Sequence, residues 1–352
     1  MRILQTIKRF DFGGAETYVR VLSNELSRAG HEVYLCSQSG GRQQKLLQPA
    51  LHWIPYWRFS NLLLINILQL WYIVRKYQIQ LIHAHQRMPI FAASLVGFLT
   101  AVPVIATVHG RTKYDLRSGV SKKIPQKVIY VSRRTLEGAK PFISLTNKTA
   151  FLPNIMPAIK ICNCLQPFEI GYFSRINGRH SSIICGLMKL MPVLAEEFPA
   201  VRLTIYGEGA ELERIQTHAT EVNSLFGKPI IRLAGFMEDT CCAKALPELV
   251  IGVGRVAIES ALRGCSVISA NKYRAGELIK PDNLQFYHDN NFVNIYGNTP
   301  DFDLLKESIS SFFRNREKHR KESMAMLPDL QQMYHPELLI DKILSLYNNY
   351  ME

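Results

Sequence analysis

Two short glycine turns, Phe12-Gly13-Gly14-Ala15 and Gly252-Val253-Gly254-Arg255, each stand between a strand-like run and an amphipathic helix, one in each half of the chain. The start of a helix presents backbone N–H groups with no partner inside the helix, and glycine lets a phosphate approach them closely. The chemistry this suits is anion binding. A pair of such turns, one per half, points to a two-domain protein that holds a phosphorylated ligand. In open parallel sheets ligands bind beyond the carboxyl ends of the strands. Gly13, Gly14, His109, Arg175, Gly207, Gly254, Arg255 and Glu277 occupy or approach such positions.

The elements that must position these residues alternate between strand and helix. Strands are expected at Arg2–Ile7, His31–Cys36, Ile79–Ala84, Pro103–Val108, Lys127–Val131 and Thr149–Leu152, with helices at Ala15–Arg28, 61–77 and 88–100. Pro153–Pro167 reads as a linker. The pattern then restarts, with strands at Glu169–Phe173, Arg202–Tyr206, Ile230–Leu233, Leu249–Val253 and Ser266–Ala270. Helices are expected near 182–197, 209–223, 255–263 and 274–280, and residues 301–350 look helical. Apolar, β-branched strands alternating with helices make this an α/β chain with doubly wound parallel sheets. The expected domains are 1–160 and 168–325, with a C-terminal helix in 326–352 packing back toward the first.

At 352 residues, 47% hydrophobic and 20% charged, the chain has the size and composition of two globular domains. Met1–Ile7 already reads as a strand, so no secretory leader is expected. The seven cysteines, including Cys162-Asn163-Cys164 and Cys241-Cys242, lack zinc or redox spacing, which leaves free thiols in a reducing cytoplasm and no metal site. Charge divides sharply. Residues 1–165 carry 22 Lys and Arg against 6 Asp and Glu, the remainder 20 against 23, and no acidic residue lies between Glu32 and Asp115. A one-sided basic domain suits an anionic partner. Exposed-looking aromatic and aliphatic groups beside the cations, in His52-Trp53-Ile54-Pro55-Tyr56-Trp57-Arg58 and Leu62-Leu63-Leu64-Ile65, suit an anionic membrane surface, the alternative being a solvated basic face with no partner. No nucleic-acid module is recognisable. Leu62 to Val74 is shorter than the roughly 20 apolar residues a bilayer span requires.

Several short segments recur in a familiar order: Phe12-Gly13-Gly14-Ala15-Glu16, His83-Ala84-His85, Val108-His109-Gly110, Val131-Ser132, Pro153-Asn154, Tyr172-Phe173-Ser174-Arg175-Ile176, Ile205-Tyr206-Gly207-Glu208-Gly209, and Glu259 through Ile268. In that order and spacing the chain resembles the large family of retaining, nucleotide-sugar-dependent glycosyltransferases of the GT-B fold, over about residues 1–280. The resemblance implies two Rossmann-like domains facing across a cleft, with a nucleoside-diphosphate sugar bound mainly by the second.

In the family's pattern Glu259 matches the ribose-binding carboxylate and Arg175 the arginine that steadies the diphosphate leaving group. His109 matches the active-site histidine beside the reacting carbon, and Gly14 the close-approach glycine of the first loop. Glu277 falls near the donor, while His83 and His85 read as structural. Two positions depart from the pattern. Ile251 stands where a second carboxylate is usual, and His180 where a lysine is usual, with Arg179 or Arg255 as replacement cations. No Asp-x-Asp pair stands at a strand end where it could hold a metal, so no obligatory metal is expected, and the resemblance implies a retaining transferase that needs no cofactor and acts on a glycan or lipid-linked acceptor, as in polysaccharide or lipopolysaccharide assembly. Its expected place is the cytoplasm, peripheral to the inner face of the membrane. A GT-B-fold binding subunit and a nucleotide-sugar epimerase are the alternatives.

Overall fold

The structure, a computed structural model, describes residues 1–350 apart from 12, 39–40, 57–61, 179, 238–239 and 296–300. The chain divides into two compact units, Met1–Ala158 with Tyr334–Glu352, and Ile159–Met333. Residues 326–333, grouped by sequence with the terminal helix, fall in the second unit.

In the first unit the chain runs β1 (Arg2–Thr6), α1 (Gly14–Arg28), β2 (Glu32–Ser37), β3 (His52–Pro55), α2 (Leu63–Lys76), β4 (Leu81–His85) and α3 (Arg87–Thr100). It continues through β5 (Val104–Val108), α4 (Thr112–Asp115), α5 (Gly119–Lys123), β6 (Lys127–Tyr130), α6 (Arg133–Glu137) and β7 (Thr149–Phe151). The seven strands are parallel, in the order β3-β2-β1-β4-β5-β6-β7. Every residue of β4 and β5 is buried, as expected of apolar strands covered on both faces. Because side chains alternate, Ile3, Val33, Leu81, Ile105 and Ile129 form one core with Val19 and Leu22 of α1. Their neighbours Leu4, Ile82, Ala84 and Ala106 form the other core, with Leu70 and Ile73 of α2 and Ile90 and Val96 of α3.

The second unit follows as β8 (Leu165–Phe173), α7 (Ser181–Glu197), β9 (Arg202–Tyr206), α8 (Leu212–Phe226), β10 (Ile231–Gly235), β11 (Leu246–Gly252) and α9 (Arg255–Leu262). Then come β12 (Ser266–Asn271), β13 (Arg274–Leu278), α10 (Leu284–Asp289), α11 (Phe302–Arg314), α12 (Arg316–Ala325) and α13 (Leu327–Met333). Strand order is β10-β9-β8-β11-β12-β13, all parallel except β13. The last helix, α14 (Pro336–Asn348), belongs to the first unit, where Leu339, Ile340, Ile343 and Tyr347 close the core over α1.

Three elements differ from the sequence reading. Residues 274–278, expected as a helix, form the antiparallel edge strand β13. The Asn271 side chain accepts from the backbone N–H groups of Tyr273 and Arg274 at 2.8 and 3.2 Å, and this local turn reverses the chain into a hairpin. Of the run His52–Arg58, read as exposed aromatics and aliphatics, His52–Pro55 forms the edge strand β3, where Trp53 Nε1 donates to Ser37 Oγ at 2.8 Å, Tyr56 just beyond is fully buried, and Trp57 and Arg58 lie outside the described residues. The expected linker is shorter than Pro153–Pro167, since β8 starts at Leu165 and pairs from there with β11.

Beyond β8 and β9 the chain stays knitted together. Ser174 N–H donates to the Tyr206 carbonyl at 3.0 Å and Ile176 N–H to the Glu208 carbonyl at 2.9 Å. The approach is so close that a Cβ on Gly207 would stand 1.9 Å from the Ser174 oxygen, and one on Gly209 2.1 Å from the Ile176 oxygen. Gly209→Ala is therefore expected to lower unfolding free energy by about 1–3 kcal/mol or more, measured by urea denaturation, from strain at φ 154° and the clash together. Wild-type stability in that variant would contradict the close approach.

Candidate functional site

Each sheet reverses its winding direction at one point, and there a crevice opens at the carboxyl ends of the strands. In the first unit this lies between β1 and β4. The loop after β1 enters α1 through Gly13, whose φ of 145° favours glycine. Among the described residues a Cβ on Gly14 would meet nothing within 4 Å, so none of them demands glycine there and the space beside the helix start is open. After β4, Gln86 holds φ 66° and ψ 158°, a conformation that side chains rarely adopt. Its amide donates to Glu16 Oε1 at 3.0 Å, which ties the loop after β4 to the first turn of α1.

His109 follows β5 and is half-buried. It ends a polar network set on one sheet face by odd-numbered residues: Gln5 of β1, His83 and His85 of β4, and Thr107 of β5, all fully buried. Gln5 Oε1 can only accept, so the His85 Nε2 that lies 2.8 Å away carries the hydrogen. Neutral His85 then has a lone pair on Nδ1, which accepts from His109 Nε2 at 3.2 Å. His109 is thereby fixed as the Nε2–H tautomer, with Nδ1 left as acceptor or base. On the other side of the network Gln5 Nε2 donates to the Tyr347 hydroxyl at 3.4 Å. That hydroxyl lies 2.6 Å from His83 Nδ1, and His83 Nε2 lies 2.7 Å from Thr107 Oγ1.

Burial keeps this network uncharged. It pushes His83 down to about 3, with the neighbouring His109 charge adding to the effect. His85 is lowered well below the ordinary value by burial and by both other histidines, and His109 is lowered by burial. Tyr18 of α1 meets the His109 ring edge-on at 4.9 Å between centroids, closing the packing around it.

In the second unit the reversal falls between β8 and β11. Arg175 follows β8 with an exposed side chain, and no acidic partner for it is found among the described residues. The loop leads to His180 at the N-cap of α7, a 17-residue helix, where His180 Nδ1 lies 3.1 Å from Asn177 Oδ1. After β11, Gly254 turns the chain at φ 62° and ψ −136° into α9. Two helix starts and one exposed guanidinium thus follow strands at this edge, a combination chemically suited to an anion. Gly207 also lies at this edge, but its lack of a side chain is already required by the Ser174 carbonyl.

Arg255 and Glu259, one turn apart on α9, form an ion pair with Nε 2.6 Å from Oε1, both side chains about nine-tenths buried. The Thr240 hydroxyl donates to the other carboxylate oxygen. Arg255 is therefore committed to Glu259 and is a poor replacement for the missing lysine. Glu259 keeps spare acceptor capacity on both oxygens. Ile251 is fully buried within the sheet core, an environment where a carboxylate would be costly. Glu277 is not brought to the carboxyl edge. It lies on the edge strand β13, exposed beside Lys280, with Glu307 of α11 and His319 of α12 lining the same groove. Arg179 lies outside the described residues. Sequence reasoning missed Gln86, Thr240, Gln5 and Tyr347. The alternation His83-Ala84-His85 on a strand was the one signal that two polar residues share a face.

Comparisons with known proteins bear on the fold. The Glycosyltransferase Family 4 model matches residues 12–151. No curated protein matches the chain. Among solved structures, Anabaena HepE in complex with UDP-glucose superposes with a TM-score of 0.75 at 16% identity, covering 99% of this chain and 100% of that one. Sucrose-phosphate synthase from Thermosynechococcus elongatus gives 0.72 at 18% identity, with 99% and 98% covered. The UDP-GlcNAc 2-epimerase of Neisseria meningitidis, bound to UDP-GlcNAc, gives 0.65 at 12% identity, with 99% and 100% covered. The fold is the α/β fold of the GT-B glycosyltransferases.

The buried histidines also set a pH dependence. Their folded pKa values lie below the unfolded value of about 6.5. Their stabilisation is therefore complete above about pH 6.5 and is lost as the pH falls toward the folded values. Unfolding free energy from urea titration should drop as the pH falls below about 6.5 toward about 3, by up to about 1.4 kcal/mol per pH unit for each histidine. His83→Gln should flatten that slope, and equal slopes in the two proteins would contradict a neutral buried His83.

Proposed function

We propose that the protein transfers a sugar from a nucleoside-diphosphate sugar to a glycan or lipid-linked acceptor, with retention of configuration. The observation that supports this is the carboxyl edge of the second unit, where the exposed Arg175 and the start of α7 follow β8 and the start of α9, one turn before the Glu259 carboxylate, follows β11. The Family 4 match over residues 12–151 supports the same reading from the other half of the chain. UDP-glucose and UDP-GlcNAc in structures of the same fold support the donor class.

In this reading the diphosphate sits against the start of α9, with His180 and the start of α7 nearby. Arg175 stabilises the charge that develops as the bond to the sugar breaks, a task for a fixed planar cation. Glu259 accepts from the ribose hydroxyls, with Arg255 and Thr240 holding its carboxylate in place. Gly254 and Gly14 keep their helix starts open. Neutral His109 contacts the donor sugar beside the reacting carbon, its free Nδ1 fixed by His85. The leaving group's charge is met by the chain's own cation and helix dipoles, so no metal ion is assigned a role.

Arg175→Ala is expected to lower kcat by about 10²–10³-fold, or about 2.7–4 kcal/mol, in an assay of nucleoside diphosphate release. An unchanged kcat would remove Arg175 from the mechanism. Omitting acceptor tests the epimerase reading, which the weaker structural likeness raises. A transferase gives no epimerised nucleotide sugar, whereas an epimerase converts the donor with no acceptor present.

A further inference from the structure

Helix α2 is apolar on both of its sides. Leu70, Ile73 and Val74 are buried in the core beneath it. On the opposite side Leu64, Ile65, Leu68, Trp71 and Tyr72 are between 40% and 76% exposed. Their spacing draws one continuous stripe along the helix. A helix apolar all round belongs in a core or against lipid. At 14 residues it is about 21 Å long, short of the roughly 30 Å hydrocarbon layer. Among the described residues no helix is long and apolar enough to cross a membrane. A surface-lying helix is what remains.

Cations bracket the stripe. Arg75 and Lys76 are exposed at its C-terminal end. At its N-terminal end a cleft of about 350 Å³ has apolar walls from Leu63, Met88 and Phe91, with Arg87 and Arg117 at its rim. Both arginines are exposed, and no described acidic side chain pairs with either. Neither α2 nor α3 contains an acidic residue. A second copy of the chain would set these cations against their own kind, which opposes self-association. An anionic bilayer neutralises them and covers the stripe.

We propose that the α2 face docks the protein on an anionic bilayer, with the apolar stripe in the headgroup boundary and a lipid phosphate between Arg87 and Arg117. This deepens the lipid-linked acceptor proposed above and rests on that reading. The cleft opens beside the starts of α2 and α3, both at the carboxyl edge of the sheet, so a lipid-borne acceptor would arrive on the side where His109 lies.

The test is flotation of the full chain with phosphatidylcholine vesicles and with phosphatidylcholine–phosphatidylglycerol vesicles. Wild type should partition at least about tenfold more strongly onto the anionic vesicles, and Arg75→Ala should lower that about fivefold. Leu68→Glu with Trp71→Glu should lower it at least about tenfold. These positions are exposed, so thermal melts should match wild type. A second pair, Leu64→Ser with Leu68→Ser, guards against local misfolding and should act in the same direction. Three results overturn the proposal: no binding of wild type to anionic vesicles, equal binding of wild type and variants, or a wild-type dimer in sedimentation that these substitutions dissociate. Calorimetry with UDP is read separately. Vesicle binding without UDP binding would count against the transferase and not the docking face, and the converse against docking alone.

Discussion

The first peptide N–H groups of a helix have no carbonyl within the helix to bond, and in this protein such groups are gathered where strands end. Gly13, after the loop that follows β1, and Gly254, just beyond β11, lead the chain into a helix through backbone angles that suit glycine. Among the described residues, nothing fills the space beside Gly14. An unpaired donor array costs least while it faces water and gains most when an anion arrives.

The two units fix orientation differently. In the second, strand pairing continues past the ends of β8 and β9, and Gly207 and Gly209 let the loops touch backbone to backbone. Glu259 is fixed by Arg255 on one oxygen and Thr240 on the other. A buried pair of this kind is not dependable stabilisation, because desolvation offsets much of its attraction. What it provides is a carboxylate in one orientation. In the first unit orientation comes from histidine. Within a run of buried amides, hydroxyls and imidazoles, Gln5 sets the hydrogens of His85 and through it those of His109, where the run ends. Tyr347 on α14 completes that run, so the end of the chain supports a residue at the site.

Much of this was legible in the sequence where chemistry and periodicity coincide. Apolar β-branched runs gave the strands, and glycine after a strand marked both helix starts. Glu259 and Arg255 stand four apart on a helix, a spacing that already places them on one face. The unread parts depend on partners far along the chain. Gln5 and Tyr347 lie 342 positions apart, and no local pattern ties them to His109. Glu277 was placed near the donor by a loose match, yet the turn set by Asn271 sends it along an edge strand. The short strand β3 was missed because Trp53 and Tyr56 look like surface aromatics until the sheet edge that receives them is known.

The central claim is that the helix starts of the second unit, with Arg175 and Glu259, grip the diphosphate and ribose of a nucleotide. A crystal structure of the full chain grown with UDP, and a parallel one with GDP, tests it most directly. The account predicts a diphosphate at the N-terminus of α9 within reach of Arg175, and a ribose on the Glu259 carboxylate. A nucleotide bound away from these groups, or neither nucleotide bound at saturating concentration, would contradict it.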